Sequence, residues 1–249
     1  MAKQTGNMPV IGTMNNMTYF KSKDGIMVKM KSAISKDKFK TKNFEITFRN
    51  NLEFGLAGKA GKTLRYAIAN VIGDCKDGRL ASRLLTLMLK IAKTDTTSVH
   101  GERNVAKGQV EMLEGFDFNI NSPLPLHFTA PYIAGADRVT GKLTLDIPAF
   151  NPANMLLVPD GATHFKMIAT GSEVDFPNDN FVSQSFETAL QPVGAAASTP
   201  VSAVLQVTAN STLPLFIFLG VQYFLEVNGA QTPIRSSDAN SMGIVKLEA

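Results

Sequence analysis

The chain has 249 residues, 44% of them hydrophobic, which suffices for a sizeable core, and its single cysteine excludes an internal disulfide framework. Its formal net charge of +4 conceals two opposed halves: residues 1–110 hold 20 Lys or Arg against 8 Asp or Glu, whereas residues 111–249 hold 5 against 13. Such asymmetry indicates either a basic arm that meets a polyanion or complementary surfaces through which copies of one protein attract each other.

The first predicted element is a β-hairpin over residues 18–30, in which Asp24-Gly25 supplies the φ > 0 turn. Because strand side chains alternate faces, Lys29 and Lys31 share one face, which the lysines of the opposite strand could join. The run that follows at 36–42 has a Lys at nearly every second position. We expect that run to be solvated or bound to a partner.

A helix is predicted next, from Asn43 as N-cap to about Ile72. The pattern that indicates it is an apolar residue at every fourth position: Phe44, Phe48, Leu52 and Leu56. Glycines at 55, 58 and 61 interrupt its middle, each at a cost in helix propensity of about 1 kcal/mol relative to Ala. They predict either close packing against another element or a break in the helix.

A second helix is predicted from about Arg79 to Lys93. Its leucines, with Met88 and Ile91, recur at the spacing of one apolar face, and Arg79, Arg83, Lys90 and Lys93 take the opposite side. A solvated face explains this basic stripe most simply. The stripe contains no acidic residue, however, and i,i+4 salt pairs are the usual solvated arrangement.

From Gly115 onward, short apolar or alternating runs separated by turn signals predict seven or eight strands. The segment 194–200 is predicted to be a loop among them. The predicted fold class is therefore α+β. A basic region over residues 1–110, made of the hairpin and the helices, precedes an acidic antiparallel β-sandwich over residues 111–249.

No pattern in the chain identifies a catalytic or metal-binding site, and we predict no cofactor. Residues 58–63 resemble a phosphate-binding loop, but the spacing between the two glycines that the motif requires is wrong. The histidines, His100, His127 and His164, lie in separate segments without metal-ligand spacing. Cys75 is predicted to be a small loop residue. Carboxylates that could pair for catalysis or bind calcium, but whose spacing fits no known loop, are Asp117, Asp146, Glu173, Asp175 and Asp179.

The sequence also gives expectations about the cellular compartment of the protein. The first twenty residues lack an apolar core followed by a cleavage site, so we predict no cleavable secretion signal. The longest apolar run, 213–225, is too short to cross a bilayer. We expect a cytoplasmic protein, with leaderless export left open as an alternative.

Several segments together carry a resemblance to a known family: Gly12-Thr-Met-x-x-Met-Thr-Tyr-Phe-Lys21, Asp24-Gly25, Ser35-Lys-Asp-Lys38, Arg49-Asn-Asn-x-Glu-Phe-Gly55-x-Ala-Gly-Lys-Ala-Gly-Lys-x-x-Arg65, Asp77-Gly-Arg-Leu80, Val105-Ala-Lys-Gly108, Gly115-Phe-Asp-Phe118, Gly161-Ala-Thr-His-Phe165 and Leu225-Glu-Val-Asn-Gly229. With these segments the chain resembles a family of uncharacterised Bacteroidetes proteins of about this length. The resemblance covers nearly the whole chain and implies that both halves belong to one inherited unit. The family has no established activity, so no catalytic residue transfers from it.

Our leading hypothesis is a non-enzymatic structural protein that forms a homo-oligomer or filament through its opposed halves. The predicted interface residues are Lys29, Lys31, Arg79, Arg83, Lys90 and Lys93. The alternative is sequence-independent binding or packaging of nucleic acid by the basic half, since its cations would give a large salt-dependent affinity. A third hypothesis, an enzyme or carbohydrate-binding module, rests on analogy between folds alone.

Overall fold

The computed structural model describes residues 2–5, 8–31, 41–194, 196–236 and 238–249. The chain divides into two compact units, Met1–Phe48 and Arg49–Ala249. The lysine-rich run predicted to be solvated or partner-bound lies outside the described residues from 36 to 40.

The N-terminal unit contains a four-stranded antiparallel sheet of order β1-β4-β3-β2. Its strands are β1 (Ala2–Lys3), β2 (Gly12–Met14), β3 (Met17–Ser22) and β4 (Gly25–Met30). Strands β3 and β4 confirm the predicted hairpin, but the turn comes one residue earlier than predicted. Ser22 pairs with Gly25, so Lys23 and Asp24 form the turn, and Gly25 has the positive φ of +115°.

Five α-helices lie in the described part of the chain. They are α1 (Glu45–Ala67), α2 (Ala69–Ile72), α3 (Leu80–Lys93), α4 (Leu124–His127) and α5 (Pro152–Met155). Helix α3 confirms the second predicted helix. Asn43 as N-cap is wrong, because Asn43 already lies inside a 3-10 turn, Lys42–Phe44, that precedes α1.

Helix α1 runs unbroken through its three glycines, so the predicted break does not occur. Close packing is found at one of them: a Cβ on Gly61 would contact Leu84 at 3.6 Å. A Cβ on Gly58 would meet nothing closer than 4.0 Å, and one on Gly55 would meet nothing within that distance. Residues 58–63 are helical, and therefore do not form a phosphate-binding loop.

Two further antiparallel sheets follow. One has three strands, of order β10-β6-β5; the other has six, and in it β11 pairs with β7, β12 and β13, while β7 also pairs with β8 and β9. The strands are β5 (Ile133–Asp137), β6 (Lys142–Ile147), β7 (His164–Asp175), β8 (Asn180–Glu187), β9 (Gln191–Pro192), β10 (Val201–Gln206), β11 (Leu215–Val227), β12 (Ala230–Pro233) and β13 (Ser241–Glu248).

The core consists of two hydrophobic clusters that meet the two faces of β11. Phe216 and Phe218 belong to a cluster with the apolar faces of α1 and α3. The intervening Leu215, Ile217 and Leu219 belong to a second cluster with the inward side chains of β6 and β10. Because β11 is covered on both faces, its sequence is a continuous apolar run rather than an alternating one.

The structure confirms a mixed α+β fold with antiparallel sheets. The predicted domain boundary at residue 110 lies inside the unit Arg49–Ala249. The first core cluster contains residues from both sides of that position, among them Leu84 and Phe218.

Candidate assembly surfaces

The sheet of the N-terminal unit has no buried side chain among residues 2–5 and 8–31. Lys29 lies opposite Thr18 and shares a face with Phe20, whose ring centroid is 5.4 Å from the Lys29 ammonium. Lys21 lies opposite Ile26 and points to the other face. The prediction that the opposite strand's lysines join Lys29 is therefore wrong for Lys21.

Lys31 follows the end of β4. Its backbone N–H donates to the carbonyl of Asn16 at 2.6 Å, and its side chain is exposed, as is that of Lys29. The same unit also exposes apolar side chains: Met8, Val10, Ile11, Met14, Met17 and Met30. The N-terminal unit thus presents cations and apolar side chains together.

The Met8–Ile11 loop, defined as residues 8–11 between β1 and β2, is held by one side chain. The Gln4 amide nitrogen donates to the carbonyl of Met8, and the Gln4 amide oxygen accepts from the N–H of Val10, both at 3.3 Å. These two bonds span Pro9, which has no N–H to add to a strand ladder. The Gln4 amide thus contacts the loop on both sides of Pro9, while the apolar side chains of the loop stay exposed.

The basic stripe of α3 divides into two parts. Lys90 and Lys93, in the last turns, are exposed, and within the described residues neither has an ion-pair partner. Arg79 is the exposed N-cap residue of α3. Arg83, in contrast, is about three-quarters buried and pairs with the buried carboxylate of Asp77.

The Asp77–Arg83 pair fixes the start of α3. Burial alone would raise the pKa of Asp77, but hydrogen bonds from the Arg83 guanidinium and from the N–H groups of Ile120 and Arg79 outweigh it and lower that pKa. Arg83 also donates to the carbonyl of Asp117 at 2.9 Å and stacks over the Phe116 ring at 5.0 Å. These contacts place Arg83 in a structural ion pair.

A groove of about 700 Å³ lies along α1 in the unit Arg49–Ala249. Its walls are α1, the segment 101–107 and the turn between β7 and β8, here called together the α1 groove. The apolar residues that line it include Leu52, Leu56, Val105, Phe176 and Pro177. Its polar lining carries both signs of charge, from Lys59, Lys107, Glu102 and Asp179.

A buried ion pair holds one wall of the α1 groove. The Glu53 carboxylate accepts from Arg103 Nε at 2.7 Å and from the Gly101 N–H at 2.8 Å. The hydrogen bond from Arg103 is the largest influence on the pKa of Glu53 and lowers it, although burial acts in the opposite direction. On the adjoining turn of α1, Asn50 Oδ1 lies 2.9 Å from His100 Nε2.

The opposite wall is held through Asp179. Its carboxylate accepts from the Thr63 hydroxyl at 3.3 Å and lies 3.8 Å from the Lys59 ammonium. Phe176, at the same turn, packs edge-on against Phe216 with ring centroids 6.2 Å apart. Both walls are therefore tied to α1 or to the core.

The other residues singled out from the sequence do not assemble into a reactive site. No group of three His, Cys, Asp or Glu that could hold a metal ion occurs within the described ranges. His127 is buried and His164 lies beside Thr163 and Glu226. Cys75 is buried, and that burial raises its thiol pKa to about 12.

The candidate carboxylates accept hydrogen bonds from nearby groups and do not pair with one another. Asp146 accepts from the Ser202 hydroxyl, Glu173 from the Thr208 N–H, and Asp175 from Asn178. Burial raises the pKa of Asp117, whose carboxylate accepts from the N–H of Leu124.

Sequence reasoning missed the α1 groove because it used Leu52 and Leu56 only as part of the repeat that predicts a helix. Both side chains are more than a third exposed, as is Phe48. The signal that could have found the groove is the glycine content of the same turns. A helix that loses side chains at 55 and 58 presents a depression beside its leucines.

The chain matches no protein-family model, no curated protein and no solved structure. Within the ranges that the structure describes, none of the helices combines the length and apolar character needed to cross a membrane.

Proposed function

We propose that the chain is a non-enzymatic structural protein that self-associates into an oligomer or filament through complementary basic and acidic regions. The observation that carries the proposal is the N-terminal sheet, whose described side chains are all at least partly exposed although many are apolar. A small sheet needs a covered hydrophobic face for stability. A second molecule would supply that cover.

The distribution of charge supports the same proposal. Residues 1–110 hold 20 Lys or Arg against 8 Asp or Glu, and residues 111–249 hold 5 against 13. A contact between the basic region of one copy and the acidic region of another is head-to-tail, and it closes into a ring or continues as a filament. Lys29, Lys31, Lys90 and Lys93 are the proposed interface cations that are exposed, with Arg79 at the start of α3.

The test is the mass of the nuclease-treated full chain by light scattering at low and high salt, with the absorbance ratio reporting residual nucleic acid. We expect particles of several chains, free of nucleic acid, that shrink as salt screens the charges. A monomer at every salt concentration would contradict self-association.

A second candidate function, nucleic-acid binding, is favoured by one specific observation. The Lys62 ammonium lies 5.1 Å from the ring centroid of Tyr66, and Tyr66 is 54% exposed. A cation beside an exposed ring suits a phosphate next to a stacked base. Salt-dependent binding of the full chain to fluorescent single-stranded homopolymers, weakened by Tyr66→Ala, would support this function, and no binding at low salt would contradict it.

Three further proposals concern the sheets, the location and the family of the chain. We propose that the two sheets of the unit Arg49–Ala249 form a sandwich, on the basis of their shared hydrophobic cluster. We also propose a cytoplasmic location and membership of the Bacteroidetes family that the sequence resembles.

A further inference from the structure

Methionine is concentrated at the start of this chain. Six of its eleven methionines lie within residues 1–30, and the other five are spread over residues 31–249. Of those five, Met88, Met167 and Met242 are buried and belong to the two core clusters. The early methionines do not fill a core in this way, because no side chain among residues 2–5 and 8–31 is buried.

Three of the early methionines form one row across the N-terminal sheet. Met14 of β2 lies directly opposite Met17 of β3, and Met17 lies directly opposite Met30 of β4. Side chains that lie directly opposite point to the same face, with Cβ atoms about 5 Å apart. The side chains of Met14, Met17 and Met30 are 60%, 45% and 74% exposed. They are here called the methionine row, a set of neighbouring thioethers open to solvent.

The surroundings of the methionine row leave its sulfur atoms accessible. The Tyr19 hydroxyl, on the same face, donates to Met17 Sδ at 3.6 Å. The Lys29 ammonium is turned to the other face, where it lies over the ring of Phe20. Lys21 points to the face of the row, but it is four residues along β3 from Met17, about 13 Å at the rise of a strand. An open cleft of about 600 Å³ beside the row is lined by Ala2, Met17, Val28, Lys29 and Met30.

Neither strand propensity nor burial explains three methionines in one row. Strands favour Val, Ile, Thr and the aromatic residues, and an apolar face needs only hydrocarbon side chains. Met adds a flexible side chain with a polarisable thioether sulfur. That sulfur is a soft, uncharged ligand, and it favours soft monovalent ions such as Cu(I) over hard cations such as Mg²⁺.

We propose that the methionine row binds a soft monovalent metal ion of the Cu(I) class through the thioether sulfurs of Met14, Met17 and Met30. The rotatable bonds of each side chain let the two outer sulfurs turn toward Met17. This inference goes beyond the proposed self-association and does not depend on it.

Calorimetric titration of the full chain with silver nitrate in chloride-free buffer tests the inference. Ag(I) serves as the probe because it is soft and monovalent like Cu(I) and is stable in air. Every protein in the series carries Cys75→Ala, since a thiol would also bind the probe. The test variants are Met14→Leu, Met17→Leu and Met30→Leu, singly and together. Leu removes the sulfur and keeps an apolar side chain of similar volume.

The matched control is Met27→Leu. Met27 belongs to the same sheet but lies opposite Phe20 and points to the other face. We expect one saturable Ag(I) site, weakened by about tenfold or more in each single test variant, lost in the triple variant and unchanged in Met27→Leu. Circular dichroism of each variant shows whether the fold is retained.

The results that would overturn the inference are distinct. Absence of saturable binding by the Cys75→Ala chain, or binding that survives in the folded triple variant, overturns the site. A loss of affinity in Met27→Leu as large as that in Met17→Leu overturns the assignment to the row.

Light scattering keeps this inference apart from the proposed function. Because the Leu variants keep the apolar surface, we expect the triple variant to self-associate as the wild type does while it loses Ag(I) binding. A chain that is monomeric at every salt concentration and still binds Ag(I) at the row overturns the proposed function and supports this inference.

Discussion

Glu53 is the side chain on which the wall of the α1 groove depends. Its carboxylate is almost fully buried and accepts from Arg103 and from the N–H of Gly101. We predict that Glu53→Gln lowers the free energy of unfolding by about 2 kcal/mol, because a charge-assisted buried pair is lost while Arg103 keeps its charge. Urea unfolding measures the difference. Glu102→Gln, at an exposed neighbour, is the control and should change stability by less than about 0.5 kcal/mol.

The same carboxylate gives a prediction for pH. The pKa of Glu53 in the folded protein lies below its ordinary value of 4.5, chiefly because of the hydrogen bond from Arg103. A lowered folded-state pKa contributes stability above pH 4.5 that is lost as the pH falls through the folded value. The stability difference between wild type and Glu53→Gln should therefore narrow below pH 4.5. A difference that stays constant from pH 7 to well below 4.5 would contradict the assignment of the pair.

Cys75 gives a prediction about reactivity. Its side chain is 1% exposed, and burial raises its pKa to about 12, so little thiolate forms near neutral pH. We predict that a thiol reagent such as dithionitrobenzoate reacts slowly with the native protein and rapidly after unfolding in urea. Fast labelling of the native chain would show that the segment around Cys75 opens readily.

Among the elements, the structure confirms those whose pattern depends on neighbours in sequence. The hairpin at β3–β4 and helix α3 follow from turn chemistry and from apolar spacing, both of which are local. The placement of Leu52 and Leu56 could not be predicted in this way, because periodicity identifies an apolar face but not whether another element covers it. Periodicity also could not predict that Arg83 is mostly buried, because its ion-pair partner Asp77 lies before α3 and outside the helical pattern.

The glycines give a prediction at the scale of the elements. Replacing Gly by Ala should raise the stability of the protein at one position and lower it at another. A Cβ on Gly58 of α1 would be no closer than 4.0 Å to any neighbour, so Gly58→Ala should stabilise the protein by about 1 kcal/mol through helix propensity. A Cβ on Gly108 would lie 2.2 Å from the carbonyl oxygen of Ile91, at the end of α3. Gly108→Ala should therefore destabilise by about 1–3 kcal/mol, since the backbone must shift.

Urea unfolding of both glycine variants and of the wild type shows whether each substitution raises or lowers the free energy of unfolding. Gly61→Ala is a useful third member, because its Cβ would make ordinary contact with Leu84 at 3.6 Å. We expect Gly61→Ala to stabilise the protein, as Gly58→Ala does. A loss of stability in Gly58→Ala would show that α1 needs flexibility at that turn.

At the scale of the whole molecule, the apolar residues that are buried among those the structure describes all belong to the unit Arg49–Ala249. The core clusters begin at Ala57, and the first of them joins Leu84 and Ile91 to Phe216 and Phe218. A fragment of residues 1–110 would lose the strands that cover its helices. A fragment of residues 41–249 would keep every apolar residue that is buried in the described part of the chain, and the whole of α1.

We therefore predict that fragment 41–249 unfolds cooperatively in urea, whereas fragment 1–110 shows no cooperative transition. Removing residues 1–40 also removes eight lysines against two aspartates, together with the Met8–Ile11 loop. If self-association depends on the basic N-terminal unit, fragment 41–249 should be monomeric by light scattering under conditions in which the full chain assembles. A cooperatively folded fragment 41–249 that still assembles would place the whole interface within residues 41–249. Because folding and assembly are measured on the same fragment, loss of assembly cannot be mistaken for loss of the fold.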